Sequence, residues 1–292
     1  LHWSFFNVLA ESRGEWGFMW ECPDFFQAGD QYVLTFSPMG AGDHTSVYMV
    51  GDFDYETGKF DYYISKEIDW GLDYYAPQSF ETMDGRRIMV AWANEWEWMP
   101  LWKDWGPSYR EGWSGFFNLP REVRKKPDGL LQFVPVKELE NLRVNPIKKE
   151  KFVLEEQETE IKAGDGICYE IKFNLDLQET TADQVEIKLR CGDGKNTVCL
   201  FDLKKGEMSV DRNFGDGWSK GISRSILNLK EKNELDVHVF VDRSSVEIFA
   251  DQYSNNHSNN VFASDEQNQI FMSAYGGKAV ISGLETYGLK LS

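Results

Sequence analysis

Short runs of β-forming residues separated by turns constrain the fold of this chain more than any other feature. In residues 235–241, apolar side chains at every second position alternate with Asp236 and His238. This period of two is typical of a strand with one face in a core. Residues 242–245 form a turn into a second apolar run, 246–250. Short strands at this spacing predict a β-sandwich in the second half of the chain.

The remaining β-rich runs extend this all-β prediction to the whole chain. The second half has further runs at 167–175, 185–190 and 197–203, and the first half has runs at 32–37, 46–51, 60–64 and 87–93. Gly40 to Asp43 and Met83 to Gly85 supply turn residues between the first-half runs. No sustained helical periodicity is found in the first half.

Tryptophan and proline divide the chain into two domains. Ten of the eleven tryptophans lie at or before Trp113, and all nine prolines lie at or before Pro146. Such a shift in composition is typical of two different domains. The best short helix candidate spans residues 137–143. We therefore predict a first domain at 1–136, a linker with a short helix at 137–147, and a β-sandwich at 148–292.

Charge and residue spacing exclude several classes of function. The formal charge of −17 argues against nucleic acid and against anionic membranes as partners. No stretch approaches the roughly 18 apolar residues of a membrane span. The four cysteines and four histidines lack metal-ligand spacing, so neither a metal nor a cofactor is expected. Sparse cysteine use favours free thiols and a cytoplasmic rather than a secreted location.

One stretch, residues 20–26, combines carboxylates with aromatic side chains. Glu21 lies between Trp20 and Cys22 and is followed by Pro23 and Asp24. A carboxyl among apolar groups suits a general acid at neutral pH. A buried core glutamate or a solvated acid in a turn is the alternative. Proline also disfavours the helical conformation at the preceding residue, so we expect Cys22 to be extended and Glu21 to lie at a strand end or turn.

Other kinds of catalytic site lack their motifs. The chain has no phosphate-cradling glycine loop and no serine-nucleophile elbow. Carboxylates and aromatics remain, and they are the usual components of a sugar site, where rings stack on indoles and carboxylates act on glycosidic oxygens. Asn256-His257-Ser258 matches a glycosylation sequon, which is expected by chance in a chain this long.

Five segments, in the same order, resemble motifs of glycoside hydrolase family 32, the invertases, fructan hydrolases and sucrose-6-phosphate hydrolases. The first is Glu-Cys-Pro-Asp at 21–24, which resembles the acid/base motif of the family. The others are Gly-Leu-Asp-Tyr-Tyr-Ala-Pro-Gln-Ser-Phe at 71–80, Arg-Arg-Ile-Met-Val-Ala-Trp at 86–92, Gly-Trp-Ser-Gly with Leu-Pro-Arg-Glu at 112–122, and Phe-Val-Asp-Arg-Ser-Ser-Val-Glu-Ile-Phe at 240–249. Together they cover nearly the whole chain.

This resemblance implies a fold and a reaction. The fold would be a partial five-bladed β-propeller, roughly its last three blades, followed by a β-sandwich. The reaction would be hydrolysis of terminal β-D-fructofuranosides by a retaining mechanism, in which an aspartate attacks the anomeric carbon and a glutamic acid protonates the leaving oxygen. By position, Glu21 matches that acid/base, and sugar is the expected substrate.

The resemblance also assigns roles to neighbouring residues. Asp73 would accept hydroxyl hydrogen bonds from the fructosyl unit, with a strand-end cap as the alternative. Trp92 would supply an apolar wall, with propeller core as the alternative. Cys22 would shape the surroundings of the acid/base, and Tyr75 would line the site. Asp24 is expected to be structural and to pair with an arginine near the site.

Two further groups of residues carry weaker expectations. The tryptophans at 96, 98, 102 and 105 fit a leaving-group subsite or loop aromatics that pack on one another. Asp242 and Arg243 are expected to form a turn and an interdomain contact rather than a sugar site.

The chain departs from the family pattern in one respect. Members carry the nucleophile in an Asn-Asp-Pro-Asn-like motif and a transition-state stabiliser in an Arg-Asp-Pro motif, and neither motif occurs in these 292 residues. Leu1-His2-Trp3 resembles the end of the segment just after the second motif. The chain is therefore expected to supply the acid/base without the nucleophile. Its substrate among sucrose, sucrose-6-phosphate, inulin and levan stays open.

Two hypotheses follow from this departure. In the first, the chain is part of an enzyme and needs a complement to cover an open propeller: a missing N-terminal segment, a second chain, or another copy of itself. In the second, it is an inactive carbohydrate-binding or scaffold relative.

Overall fold

The computed structural model describes residues 1–96 and 107–291 and is built almost entirely of β-strands. Over these residues it has four antiparallel sheets and two short 3-10 helices, Pro107–Glu111 and Lys137–Leu142. No helix in these ranges is long and apolar enough to cross a membrane. The all-β prediction is confirmed.

Two four-stranded sheets form the first domain, and each is a meander in chain order. The first blade contains β1 (Met19–Ala28), β2 (Gln31–Met39), β3 (Val47–Asp54) and β4 (Lys59–Glu67). The second blade contains β5 (Tyr75–Glu81), β6 (Arg87–Trp92), β7 (Arg121–Lys125) and β8 (Leu131–Pro135). Because each meander starts at one edge, β1 and β5 are the edge strands that bring the two blades together.

A shared apolar core joins the two blades. Phe26 and Val50 of the first blade are buried with Met89 and Phe133 of the second. Such face-to-face packing is how neighbouring blades of a propeller bury their apolar faces. Residues 1–18 form no strand. The described residues therefore contain two complete blades, where roughly three were expected.

Two six-stranded sheets form the second domain. In spatial order, one contains β10 (Thr159–Glu160), β19 (Gln269–Tyr275), β12 (Gln184–Gly192), β13 (Lys195–Asp202), β14 (Glu207–Asp211) and β15 (Ile222–Ile226). The other contains β18 (Asn255–Asn260), β17 (Ser245–Ala250), β16 (Glu234–Val241), β11 (Tyr169–Asp176), β20 (Ala279–Leu289) and β9 (Arg143–Leu154). Their inner faces share one hydrophobic core, which confirms the predicted β-sandwich.

Strand β16 shows the alternation expected from its sequence, and two residues of its other face, His238 and Phe240, are buried as well. Leu235, Val237, Val239 and Val241 are all buried in the core between the sheets. The His238 Nε2 lies 2.7 Å from an Oε1 atom of Glu170 on the neighbouring strand, which gives the buried ring a polar partner. The outer face of this strand is therefore also largely covered.

The sandwich begins earlier than residue 148. Strand β9 starts at Arg143, directly after the 3-10 helix, and its first residue pairs with Leu289. The Arg143 guanidinium donates two hydrogen bonds, of 2.6 and 2.7 Å, to the carboxylate of Glu170 on β11. Pro146 lies inside β9 and does not interrupt it, because β9 is an edge strand, where a missing N–H group is tolerated.

Strand β18 is a buried strand made only of polar residues, Asn-Asn-His-Ser-Asn-Asn. It lies between the two domains. Asn256 and Asn260 donate side-chain hydrogen bonds to backbone carbonyls of the propeller, whereas Asn255 and His257 contact Ser225 of strand β15. Buried polar groups need such partners, and β18 finds them on both sides. Asn256, the acceptor of the sequon, is 1% exposed, so the folded chain shields it.

His257 should make stability depend on pH. Its two ring nitrogens contact the hydroxyls of Ser223 and Ser225 at 2.9 and 2.8 Å, and burial lowers its pKa from 6.5 to about 4. Because the unfolded state binds the proton more readily, this contribution to stability is complete above pH 6.5 and declines as the pH falls towards 4. We expect protonation of His257 in the unfolded state to lower the free energy of unfolding by about 2 kcal/mol between pH 7 and pH 5.

Urea unfolding of the wild type and of His257→Gln at both pH values measures this contribution. The variant should lose about 2 kcal/mol less than the wild type over the same interval. Equal losses would show that His257 does not set this part of the pH dependence.

Candidate active site

Glu21 lies at the start of β1, directly before a break in strand pairing. Glu21 pairs with Ser37 and Asp24 with Thr35, with a register shift between them. Cys22 occupies this bulge with φ of +50°, so the predicted extended conformation is wrong. A bulge re-aims the side chains beside it, and here those side chains belong to Glu21 and the exposed Cys22.

Strand β5 has a matching bulge opposite the first. The register shifts between Tyr75 and Gln78, where Ala76 has φ of +51° and donates its N–H to Ser37 Oγ at 2.8 Å. Gln78 Nε2 then donates to the carbonyl oxygen of Cys22 at 2.8 Å. Each bulge is therefore held by the other blade.

The two bulges bring Tyr75 onto the Glu21 carboxylate. The Tyr75 hydroxyl donates to Glu21 Oε2 at 2.6 Å, and the tyrosine is 1% exposed. Burial raises the pKa of Tyr75, and the hydrogen bond to Glu21 raises that pKa further. The phenol thus stays protonated near neutral pH and fixes one oxygen of the carboxyl group.

Trp92 lies beside this pair. It is the last residue of β6, opposite Tyr75 in the strand register, and its ring lies 6.3 Å from the Tyr75 ring at an angle of 80°. The centroid of the Trp96 ring lies 4.8 Å from that of the Trp92 ring. Gly115, with φ of +74°, leaves room for the indole, since a Cβ there would lie 3.0 Å from Trp92 Nε1. Tyr75 therefore lies next to both Glu21 and Trp92, and the site roles of these three residues stay predictions.

Part of the predicted aromatic group falls elsewhere. Trp98, Trp102 and Trp105 lie outside the described residues, so the choice between a subsite and packed loop aromatics stays open. Within the described ranges, no three His, Cys, Asp or Glu side chains are grouped as they would be around a metal ion.

Asp24 supports the site through a serine. Its Oδ2 accepts hydrogen bonds from the N–H and Oγ of Ser79 at 2.8 and 2.6 Å. Arg87 Nη1 donates to the same Ser79 Oγ at 3.1 Å. The expected direct pair between Asp24 and an arginine is thus replaced by a chain with Ser79 in the middle, and this chain ties β1 to β5.

Asp73 is placed at the domain boundary. It is 2% exposed, forms an ion pair with Arg212, and accepts a hydrogen bond of 2.8 Å from the backbone N–H of Asn260. Its own N–H donates to Ser258 O at 3.0 Å. These contacts give Asp73 an interdomain role, and both its role in binding sugar hydroxyls and the strand-end cap alternative stay predictions.

Sequence reasoning did not anticipate a buried charge cluster between the domains. Arg121 of β7, which is fully buried, donates to Asp69 Oδ2 at 2.8 Å and to Glu247 Oε2 at 2.9 Å. Its guanidinium also lies 4.1 Å from the ring centre of Tyr74. Burial raises the pKa of Glu247, and the charge of Arg121 opposes this rise. The sequence signal for this cluster was Glu247, a charged residue among the apolar residues of β17.

The turn at Asp242 and Arg243 is present but makes other contacts. Arg243 pairs with Asp265 at 2.6 Å, and Asp242 Oδ1 accepts from Cys168 Sγ at 3.1 Å, both within the sandwich. The expected interdomain contact of this motif is made instead by Glu247, five positions along from Asp242 in the sequence.

Both halves of the chain match models of one family. Residues 1–134 match the model described as the glycosyl hydrolases family 32 N-terminal domain, and residues 138–288 match the family 32 C-terminal model. The gap between the two matches coincides with the 3-10 helix Lys137–Leu142.

Named relatives agree with these matches. The chain is 34% identical over 266 residues to a sucrose-6-phosphate hydrolase of Zymomonas mobilis, a match that covers 85% of the chain and 49% of the relative. It is 30% identical over 298 residues to a raffinose invertase of Escherichia coli, covering 96% of the chain and 57% of that protein. The chain thus spans about half the length of these relatives.

Solved structures share the fold. A sucrose-6-phosphate hydrolase from Lactobacillus gasseri superimposes with a TM-score of 0.77 at 22% identity, covering 97% of this chain and 57% of that one. A β-fructofuranosidase from Bombyx mori gives a TM-score of 0.74 at 25% identity, covering 99% and 58%. The first likeness shows the fold alone, a propeller followed by a sandwich.

Proposed function

The chain belongs to glycosyl hydrolase family 32, and on that premise we propose that it supplies the general acid/base and one wall of the sugar site of a retaining β-fructofuranosidase. The observation that carries the proposal is the 2.6 Å hydrogen bond from Tyr75 to Glu21, made where two opposed bulges meet beside Trp92. Relatives named for hydrolysis of sucrose-6-phosphate and raffinose support a fructoside as the substrate.

Glu21 is the proposed proton donor. In a retaining mechanism one carboxylic acid protonates the leaving oxygen, while a carboxylate roughly 5–5.5 Å away attacks the anomeric carbon. The first group then removes a proton from the water that hydrolyses the intermediate. The Tyr75 hydroxyl holds Glu21 Oε2 and so orients the carboxyl group for both steps.

Trp92 is the proposed apolar wall. Its half-buried indole, flanked by Tyr75 and Trp96, offers a face on which a sugar ring can stack. Cys22 is proposed to help position the acid through its backbone. Its carbonyl oxygen accepts a hydrogen bond from Gln78, which fixes the chain directly after Glu21. Asp24 contributes the link between β1 and β5 through Ser79.

The nucleophile is proposed to come from a complement. We define the complemented form as this chain together with a polypeptide that carries the Asn-Asp-Pro-Asn and Arg-Asp-Pro motifs of the family, either fused ahead of Leu1 or added as a second chain. Exposed apolar side chains near the start of the chain support this proposal: Leu1, Trp3, Phe5, Phe6 and Phe18 are each more than two-thirds exposed. Exposed apolar surface of this kind marks interaction sites.

Release of fructose from sucrose and short fructans tests the proposed function. We expect the 292-residue chain alone to show no turnover at ordinary glycosidase rates, and the complemented form to hydrolyse fructosides. Turnover by the chain alone, with contaminants excluded, would contradict the first expectation. A complemented form that binds sucrose without hydrolysing it would favour the carbohydrate-binding alternative.

Size-exclusion chromatography with light scattering tests the same proposal physically. We expect the isolated chain to self-associate or aggregate because its exposed aromatic side chains and unpaired strand edges lack a partner, and the complemented form to have a defined mass. A soluble monomer with one cooperative unfolding transition across both domains would count against the need for a complement.

A further inference from the structure

One residue of the sandwich contacts residues that flank both strands of the candidate site. The backbone N–H of Asn260 donates to Asp73 Oδ2 at 2.8 Å, and its side-chain Nδ2 donates to the carbonyl oxygen of Ala93 at 2.6 Å. Asn260 is 3% exposed, so solvent does not compete for either hydrogen bond.

These two contacts lie next to the site in sequence and in space. Asp73 lies two positions before Tyr75, and Ala93 directly follows Trp92. Tyr75 and Trp92 are themselves opposite each other in the pairing of β5 with β6. Asn260 therefore holds the residues just outside both strands, at the end where the acid-binding tyrosine and the indole wall are placed.

A buried arginine supports this asparagine. Arg212 forms the ion pair with Asp73, donates to the carbonyl oxygen of Asn260 at 3.1 Å, and donates from Nε to Lys220 O at 2.9 Å. Asn260 is the last residue of β18, and Arg212 directly follows the last residue of β14. Both residues are therefore fixed at the ends of sandwich strands. Asp73, which leads into β5, is thus held by the second domain.

We propose that Asn260 is a positioning residue for catalysis, through which the sandwich sets the relative placement of Tyr75 and Trp92 and, through Tyr75, of Glu21. The proposal rests on the proposed function. Its physical basis is that a displacement of about 1 Å at a reacting group can cost on the order of 10²-fold in rate. The second domain then takes part in catalysis without touching the sugar.

Asn256 offers a matched control. It lies on the same strand and faces the same way, it is equally buried, and its Nδ2 donates to a propeller carbonyl, that of Ile68, at 3.2 Å. Ile68 lies outside both site strands and is not next to Tyr75 or Trp92 in the sequence. Asn256→Ala therefore removes the same kind of interdomain hydrogen bond without touching either site strand.

The first test is hydrogen exchange on the complemented form, read by mass spectrometry, which does not depend on activity. Asn260→Ala removes the Nδ2 donor to Ala93 and keeps the backbone N–H that binds Asp73. We therefore expect it to accelerate exchange in residues 90–94 relative to Asn256→Ala, and to accelerate exchange in 73–78 less. Asn260→Asp, which preserves size but also loses the side-chain donor, should show the same pattern. Equal exchange of the two alanine variants in these segments would overturn the proposal.

The second test is kinetic and uses the complemented form with sucrose. Asn260→Ala should lower kcat by about tenfold or more with a smaller change in KM, whereas Asn256→Ala should lose less than about threefold in kcat. Equal losses in kcat would overturn the positioning role. An inactive wild-type complemented form would count against the proposed function instead, and the exchange comparison would still decide the role of Asn260.

Discussion

Replacing Arg121 by methionine is expected to lower the free energy of unfolding by about 3–5 kcal/mol. The guanidinium is fully buried and is bonded to Asp69, Glu247 and the hydroxyl of Ser258. Its removal leaves two carboxylates inside the domain boundary without their counter-charge. Methionine has similar volume, so the loss reports the unpaired charges more than a cavity.

A control on the same strand separates this effect from loss of any ion pair. Arg124 of β7 binds Glu122 at 2.8 Å, but its side chain is 49% exposed. Arg124→Met should therefore cost only about 0–1 kcal/mol, as exposed pairs do. Urea unfolding at pH 7 measures both variants. A loss below about 1 kcal/mol for Arg121→Met would show that water or rearranged partners satisfy the carboxylates.

The strands of this fold could be predicted because their cause is local. In β16 the apolar residues repeat every second position, and the buried set in the structure, Leu235 to Val241 at odd numbers, follows that repeat. The first-half runs succeed for the same reason, each being a β-rich segment between turn residues. Glu21, Tyr75 and Trp92 were predicted as site residues from motif order and not from periodicity.

The contacts between the domains could not be predicted because their partners lie far apart in the chain. Arg121 and Glu247 are 126 positions apart, and nothing local to either residue identifies the other. Strand β18 is harder still, since six polar residues in a row are typical of a loop, and only burial between two domains makes them a strand. The positive φ of Cys22 likewise depends on the opposite blade.

Glu21→Gln is expected to cause the largest catalytic loss of any single substitution in this chain. The amide has the shape of the acid and can still accept the Tyr75 hydrogen bond, but it cannot protonate a leaving oxygen. General acid catalysis typically contributes 10²–10⁴-fold, so we expect a loss of about that size in kcat/KM with sucrose. The complemented form is required for this measurement.

The leaving group makes the prediction specific to proton donation. An aryl fructoside that releases a nitrophenolate needs no protonation, so its kcat/KM, which reports the step that forms the fructosyl intermediate, should fall far less. Glu11→Gln, a change at an exposed glutamate ahead of β1, serves as the control and should leave both substrates unaffected.

The ratio of these two losses in kcat/KM tests the central claim, that Glu21 is the general acid of a fructoside site. If Glu21 is that acid, Glu21→Gln should lose about 10²–10⁴-fold with sucrose and only a small part of that with the nitrophenyl fructoside. Equal losses with both substrates would contradict it and would assign Glu21 to binding or to structure instead.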